Sequence, residues 1–366
     1  MGAGYFGRGR VCGFQSRRAA FRLIPVVSGC LLGLAVAGSG ASALVAAAPG
    51  PEQPGVGSVR RGTIELADVS GAAHIRGNRL LLVSGARNAI TLLQTPSARL
   101  LQGPVAVDAA ESLEPGLRGK LELDDLEDAA WDGIESAFLV TSHARTPGGE
   151  SPEPRYRLAR LRFDPTGKLL EARQSGALLQ AVVQDIPFLA DSIRRTPART
   201  GLNIEGLAWT AEGHLLVGLR APTVTESAPR AHGGQEDAVV VRVKNPDALF
   251  SEPAEAAELG DVVKLDLRGQ GIRGMCYDPD RKATWLLSGL SAEPTHSVKS
   301  PWALWLWDEK AAPQEVRLPE GVDLDSPEAV CRLDVDGRPT LLLIESGKPA
   351  SRYVLLPAAD LKPSPP

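Results

Sequence analysis

A pattern of alternating apolar runs and polar turns repeats five times along this chain. Its clearest copy is residues 201–220, GLNIEGLAWTAEGHLLVGLR. Here an apolar run with Leu207 and Trp209 meets a polar turn at 210–213, and a second apolar run follows at 215–219. Two short apolar runs joined by a glycine-containing turn predict a β-hairpin. The layout returns at 69–74, 126–131, 272–277 and 327–332. Each copy is followed by a polar turn and then an apolar run, at 80–83, 138–140, 285–287 and 341–344. One position near the start of each unit is held in turn by Ser70, Glu127, Glu205, Arg273 and Glu328, spaced by 57, 78, 68 and 55 residues. A propeller blade of four strands takes roughly 40–50 residues, so these spacings predict blades with long loops.

Third strands are predicted at 90–93, 156–163, 238–243 and 303–307, and outer strands at 120–123, 262–267 and 315–318. The strand at 63–66 has no earlier blade to join, while the last unit offers three runs of its own, 329–333, 340–345 and 352–356. Placing 63–66 in the last blade closes the ring and hides sheet edges that would otherwise be free. The expected fold is therefore an all-β, five-bladed β-propeller over residues 61–357, with six blades the alternative. One stretch, 177–195, has a helical period through Leu178, Val182, Ile186, Leu189 and Ile193, and Pro187 should split it. The Pro-rich end, 358–366, is expected to be a disordered tail.

Residues 1–48 stand apart. They carry five arginines and no acid, then a long Ala-, Gly- and Val-rich apolar stretch ending near Ala41-Ser42-Ala43. This is the layout of a secretory signal peptide, with a retained signal anchor the alternative. The expectation is an exported protein, periplasmic or extracellular, with residues 49–60 a flexible linker. Without the leader, 35 basic residues face 44 acidic ones, a net charge of −9. No basic run survives, which argues against nucleic acid as a partner. A monomer is expected. Cys276 and Cys331 remain at one equivalent repeat position, either bridged or, as two buried small residues, free.

In a propeller the inner strand of each blade starts on the face that carries the connections between blades. The long loops 142–155, 220–236 and 289–301 belong to that face, and long loops on a rigid scaffold are where binding usually sits. Glu127, Glu205 and Glu328 there could hold a divalent cation such as Ca²⁺, with Asn203 or Asp125 adding oxygens. The same carboxylates could instead pair with Arg220 and Arg273. Glu205 and Glu127 are candidate acid–base residues, His143 is a candidate general base, and Arg273, Arg220 and Asn203 are candidate ligand-binding residues. No G-x-S-x-G elbow, phosphate loop or dinucleotide fingerprint occurs.

The runs Asn203-Ile204-Glu205-Gly206-Leu207-Ala208-Trp209, Asp125 to Trp131 and Leu216 to Pro222 carry a resemblance. Over 63–357 the chain resembles an uncharacterised exported bacterial propeller family, a domain of unknown function. It is also distantly similar to phytase-like and gluconolactonase-like propellers. That likeness implies a metal-dependent phosphoesterase or lactonase acting on a small anionic or ester-type ligand. Ser70 and Arg273 depart from the acidic series such enzymes place in the channel. The alternative is a non-catalytic scaffold that binds an envelope protein.

Overall fold

The computed structural model describes residues 59–364, apart from 77–78, 86–87, 95–109, 114–116, 118–119, 198–200, 226–235, 252–256 and 293–300. The leader and most of the linker lie outside the described residues, and among the latter no helix is long and apolar enough to cross a membrane. The first strand, β1 (Arg60–Ile64), starts inside the expected linker. Blade 1 follows with β2 (Val69–Ile75), β3 (Arg79–Ser84), β4 (Ala89–Gln94) and β5 (Ala110–Ser112). Blade 2 is β6 (Leu126–Trp131), β7 (Ser136–Thr141), β8 (Leu158–Phe163) and β9 (Leu169–Ser175). Blade 3 is β10 (Asn203–Trp209), β11 (Leu215–Val224), β12 (Asp237–Val243) and β13 (Leu259–Leu265). Blade 4 is β14 (Gly271–Asp278), β15 (Ala283–Gly289), β16 (Ala303–Trp307) and β17 (Gln314–Arg317). Blade 5 is β18 (Pro327–Val335), β19 (Arg338–Glu345) and β20 (Ser351–Pro357), and β1 pairs antiparallel with β20 to complete it.

Each inner strand packs on the next, and β18 packs on β2, so five blades close the ring. The packing explains the unbroken apolar runs in the second strands. Alternate residues of β3 serve different neighbours: Leu80 and Leu82 face blade 5, while Leu81 and Val83 face blade 2. In β19, Leu342 and Ile344 face blade 1 while Leu341 and Leu343 face blade 4. A strand buried on both faces has no polar side to show. The core is thus five apolar slabs, one between each pair of consecutive blades.

Three departures from the expected elements have local causes. Residues 120–123 form no strand, and the short β5 fills that edge position instead. The β9 strand was not foreseen, because its sequence, LLEARQS, lies at a half-exposed blade edge and is mostly polar. The chain end is ordered through Ser364. A strand β21 (Lys362–Pro363) pairs with β17, and Leu361 is buried between blades 4 and 5. The expected helical stretch splits at Pro187 into α1 (Ala177–Asp185) and α2 (Pro187–Ala190), both packed on the slab between blades 2 and 3.

Leu361 is only 1% exposed, so Leu361→Ala should lower unfolding free energy by about 2–4 kcal/mol. The exposed neighbour substitution Lys362→Ala should stay within about 0.5 kcal/mol. Denaturant unfolding that finds both variants silent would contradict the docking of the tail.

Candidate functional site

The repeat position identified in the sequence has a structural meaning. In all five inner strands the pairing register shifts at that residue, passing over Ser70, Glu127, Glu205, Arg273 and Glu328. Each is the extra residue of a β-bulge. A bulge re-aims its side chain and ends regular pairing, and such features gather at barrel rims and active sites. Crowding at the axis accompanies them: a Cβ on Gly71, just after the first bulge, would lie 2.4 Å from Asp128 Cα.

The bulged side chains meet at the end of the central channel where the inner strands begin. Ser70 donates its hydroxyl to the Leu126 carbonyl at 2.5 Å, reaching the next blade. Arg220, from β11, donates to Glu205 Oε1 at 2.7 Å and to the Leu290 carbonyl at 2.9 Å. Asn203 Nδ2 donates to the same Glu205 oxygen at 2.9 Å. Arg273 Nε lies 3.5 Å from Glu205 Oε2, and its Nη2 pairs with Glu328. The candidates Glu205, Arg220, Arg273, Glu328 and Asn203 therefore form one network.

Glu127 differs from them. Among the described residues nothing pairs with its carboxyl. Burial pushes it well above the ordinary carboxylate value, and the nearby negative charges of Glu205, Asp125 and Glu328 add to this against the pull of Arg273. The side chain keeps some solvent contact inside the channel, but protein atoms surround it closely. Burial also raises Glu328, against the pull of Arg273.

This donor set does not fit the expected Ca²⁺ site. Two guanidiniums sit among the three carboxylates, both Glu205 oxygens face arginine, and Asn203 turns its amide nitrogen to Glu205. Asp125 is tied to Arg155. Among the described residues no group of three or more His, Cys, Asp or Glu side chains is arranged to hold a metal. A hard cation needs converging oxygens free of such partners.

His143 does not join the network. It is 1% exposed, its Nδ1 bonds the Thr141 carbonyl at 2.8 Å, and burial lowers it to about 4. It is a neutral, enclosed imidazole, poorly placed for the general-base role.

Two features escaped sequence reasoning. The first is Asp128, 0% exposed, one place after the second bulge. Its Oδ1 accepts the Ala129 N–H at 2.8 Å, and its Oδ2 accepts the amides of Leu207 at 2.8 Å and Met275 at 3.2 Å. One carboxylate thus binds the inner strands of blades 2, 3 and 4. The equivalent residues elsewhere are Gly71, Gly206, Gly274 and Ala329, so a lone carboxylate among small residues was the available signal. The second is a cavity of about 920 Å³ at the opposite end of the channel, lined by the last residues of the inner strands and the turns after them. Cys276 is on its wall, and Cys276 and Cys331 are free thiols, with the Arg332 amide donating to Cys276 Sγ at 3.0 Å.

With the fold and site in view, the comparisons define the class. The family described as "Protein of unknown function (DUF3616)" matches residues 159–354, more than half of the chain. The chain belongs to that family. None of the curated proteins matches it. Among solved structures it is similar to the PQQ-bound aldose sugar dehydrogenase of Streptomyces coelicolor, at 14% identity and a TM-score of 0.38 over 83% of this chain and 99% of that one. It is also similar to a gluconolactonase of Xanthomonas campestris, at 12% identity and a TM-score of 0.34 over 80% of this chain and 87% of that one. Likeness at this level carries no statement about chemistry.

Two outcomes follow from the network. Glu127 binds its proton more tightly in the folded than in the unfolded chain. The stability this confers is complete below the ordinary value of 4.5 and is lost as pH rises through the folded value. Glu127→Gln keeps a neutral side chain, so it should melt like wild type near pH ~4 and higher than wild type near pH ~7.5. Equal or lower melting at the higher pH would contradict the raised value. Arg220 and Glu205 have side chains 5% and 7% exposed, so Arg220→Met should cost about 3–5 kcal/mol in denaturant unfolding. A loss below about 1 kcal/mol would mean that the pair is effectively solvated.

Proposed function

We propose that this propeller binds a small anionic or ester-type ligand at the bulge-lined mouth of its channel. The observation that carries this reading is the conjunction of five bulges at one end of the channel. Side chains placed by bulges in every blade form a set that no single blade needs for its own pairing. Within that set several groups retain bonding capacity. Asn203 Oδ1 is buried without a hydrogen-bond partner, Arg273 Nε has only the 3.5 Å ion-pair contact with Glu205 and no hydrogen bond, and Glu127 in its neutral form is a free proton donor. Leaving such groups unmet costs about 1–3 kcal/mol each, a cost that a ligand would relieve. A carboxylate, phosphate or ester carbonyl supplies acceptor oxygens for Arg273 and for the Glu127 O–H.

Hydrolysis of an ester or lactone at this mouth is the second reading, favoured by Glu127 as a carboxylic acid able to protonate a departing oxygen. His143, the candidate base for water, is buried and neutral, and the carboxylates Glu205 and Glu328 are engaged by arginines. Binding is therefore the leading function, and the scaffold reading is its non-catalytic form. The proposal places the protein outside the cytoplasm, as a monomer that does not bind nucleic acid. That part rests on the basic-then-apolar leader and the acidic remainder.

Calorimetry with inorganic phosphate and with δ-valerolactone tests the site. At least one should bind, and Arg273→Gln should weaken it by about tenfold or more, equivalent to ~1.4 kcal/mol. Wild-type binding should fall with rising pH as Glu127 ionises, whereas Glu127→Gln should bind without that fall. Binding by neither probe, or binding indifferent to Arg273→Gln in a variant that still melts cooperatively, would overturn the reading.

A further inference from the structure

The inner strands carry a second ring of equivalent residues, at the far end of the channel. It consists of His74, Trp131, Trp209, Tyr277 and Arg332, each four residues after the bulged residue of its strand. All five line the 920 Å³ cavity, and all five are half-buried. Asp128 and its backbone partners lie along the strands between the two rings. The two ends of the channel therefore present unlike chemistry.

We infer that this cavity is a separate binding site for a neutral, polyhydroxylated ligand, an oligosaccharide. Three properties of the wall point there. Its volume falls within the roughly 300–1,000 Å³ of small-molecule sites. Its aromatic residues are held rather than mobile: Trp209 stacks on Phe138 at 5.0 Å, and Trp131 leans on Phe163 at 6.2 Å. Rings fixed from behind offer flat apolar area at little entropic cost, and the C–H faces of a sugar cover such area well.

Charge excludes the other ligand classes. Four arginines and four carboxylates line the cavity, and most are matched. Arg160 pairs with Asp247, Arg162 with Glu135, and Arg332 with Asp280 and Asp334. A balanced wall neither attracts an anion nor forms the acidic aromatic cage that holds a cation. A purely apolar ligand would leave the polar wall unmet. His74 Nε2, Arg160 Nε and Arg332 Nε are buried without hydrogen-bond partners, and hydroxyls, which both donate and accept, suit all three. Arginine–carboxylate pairs already fixed by each other add further donors and acceptors that need no ordering on binding.

Titration of the full chain with maltotriose, cellotriose and triacetylchitotriose, with inorganic phosphate as the anionic comparison, tests the site by calorimetry and tryptophan fluorescence. At least one trisaccharide should bind with a change in Trp131 and Trp209 emission. Tyr277→Ala should weaken it by about tenfold or more, and Tyr277→Phe, which keeps the ring, should bind within about threefold of wild type. Melting curves establish that both variants fold. The inference is overturned if no trisaccharide binds at millimolar concentration, if binding survives Tyr277→Ala unchanged, or if phosphate alone perturbs the tryptophans.

Discussion

Everything around the axis depends on one buried carboxylate. Asp128 receives amide hydrogens from its own strand and from the inner strands of the next two blades. Without it, the Leu207 and Met275 amides would face the channel, pointing toward neither a ladder partner nor bulk water. A buried unpaired N–H is expensive, and three together are more so. Burial raises the Asp128 carboxyl while the three amides pull it down, and both effects follow from its place on the axis. The blades are glued pairwise by apolar slabs, which lack direction. Asp128 adds a directional bond across three of them.

The two ends of the channel then diverge for reasons of register. One place before Asp128 is the bulged Glu127, in a ring where Glu205 and Glu328 pair with Arg220 and Arg273. A few residues further on is the aromatic ring of the cavity. Side chains of an inner strand that face the axis can serve one end or the other, and the bulge sets which. One sequence position per repeat thus makes a charged mouth, and another, farther along the same strand, makes an aromatic one.

The sequence made the ring of blades readable because each blade buries both faces of its second strand. Runs such as Leu80 to Val83 and Leu341 to Ile344 stand out against polar turns. The repeat position was readable too, though as a place in the pattern and not as a bulge, since register shifts leave no mark on composition. Edge strands were harder. Leu169–Ser175 is half-exposed and polar, and Lys362–Pro363 adds a strand through backbone bonds that any residues could make. The pairing of Glu205 with Arg220 was open to a reading of the chain, because β10 and β11 are neighbours in one hairpin. Its contact with Arg273 of β14 crosses to the next blade, and its distance is not encoded in the chain order. Three acids in a series left both a cation and arginine partners open; in the fold two guanidiniums lie among them and pair with Glu205 and Glu328. Trp131, Trp209 and Tyr277 lay in the quoted segments all along, but their likeness as a ring emerges only when five strands stand side by side.

The central claim is that Asp128 ties blades 2, 3 and 4 at the axis, and amide hydrogen exchange tests it most directly. The amides of Leu207 and Met275 should exchange only on global unfolding in wild type. In Asp128→Ala both should lose protection together, ahead of amides in the slabs between the blades. If the two amides exchange rapidly in wild type, or keep full protection in the variant, the carboxylate is not what holds the inner strands together.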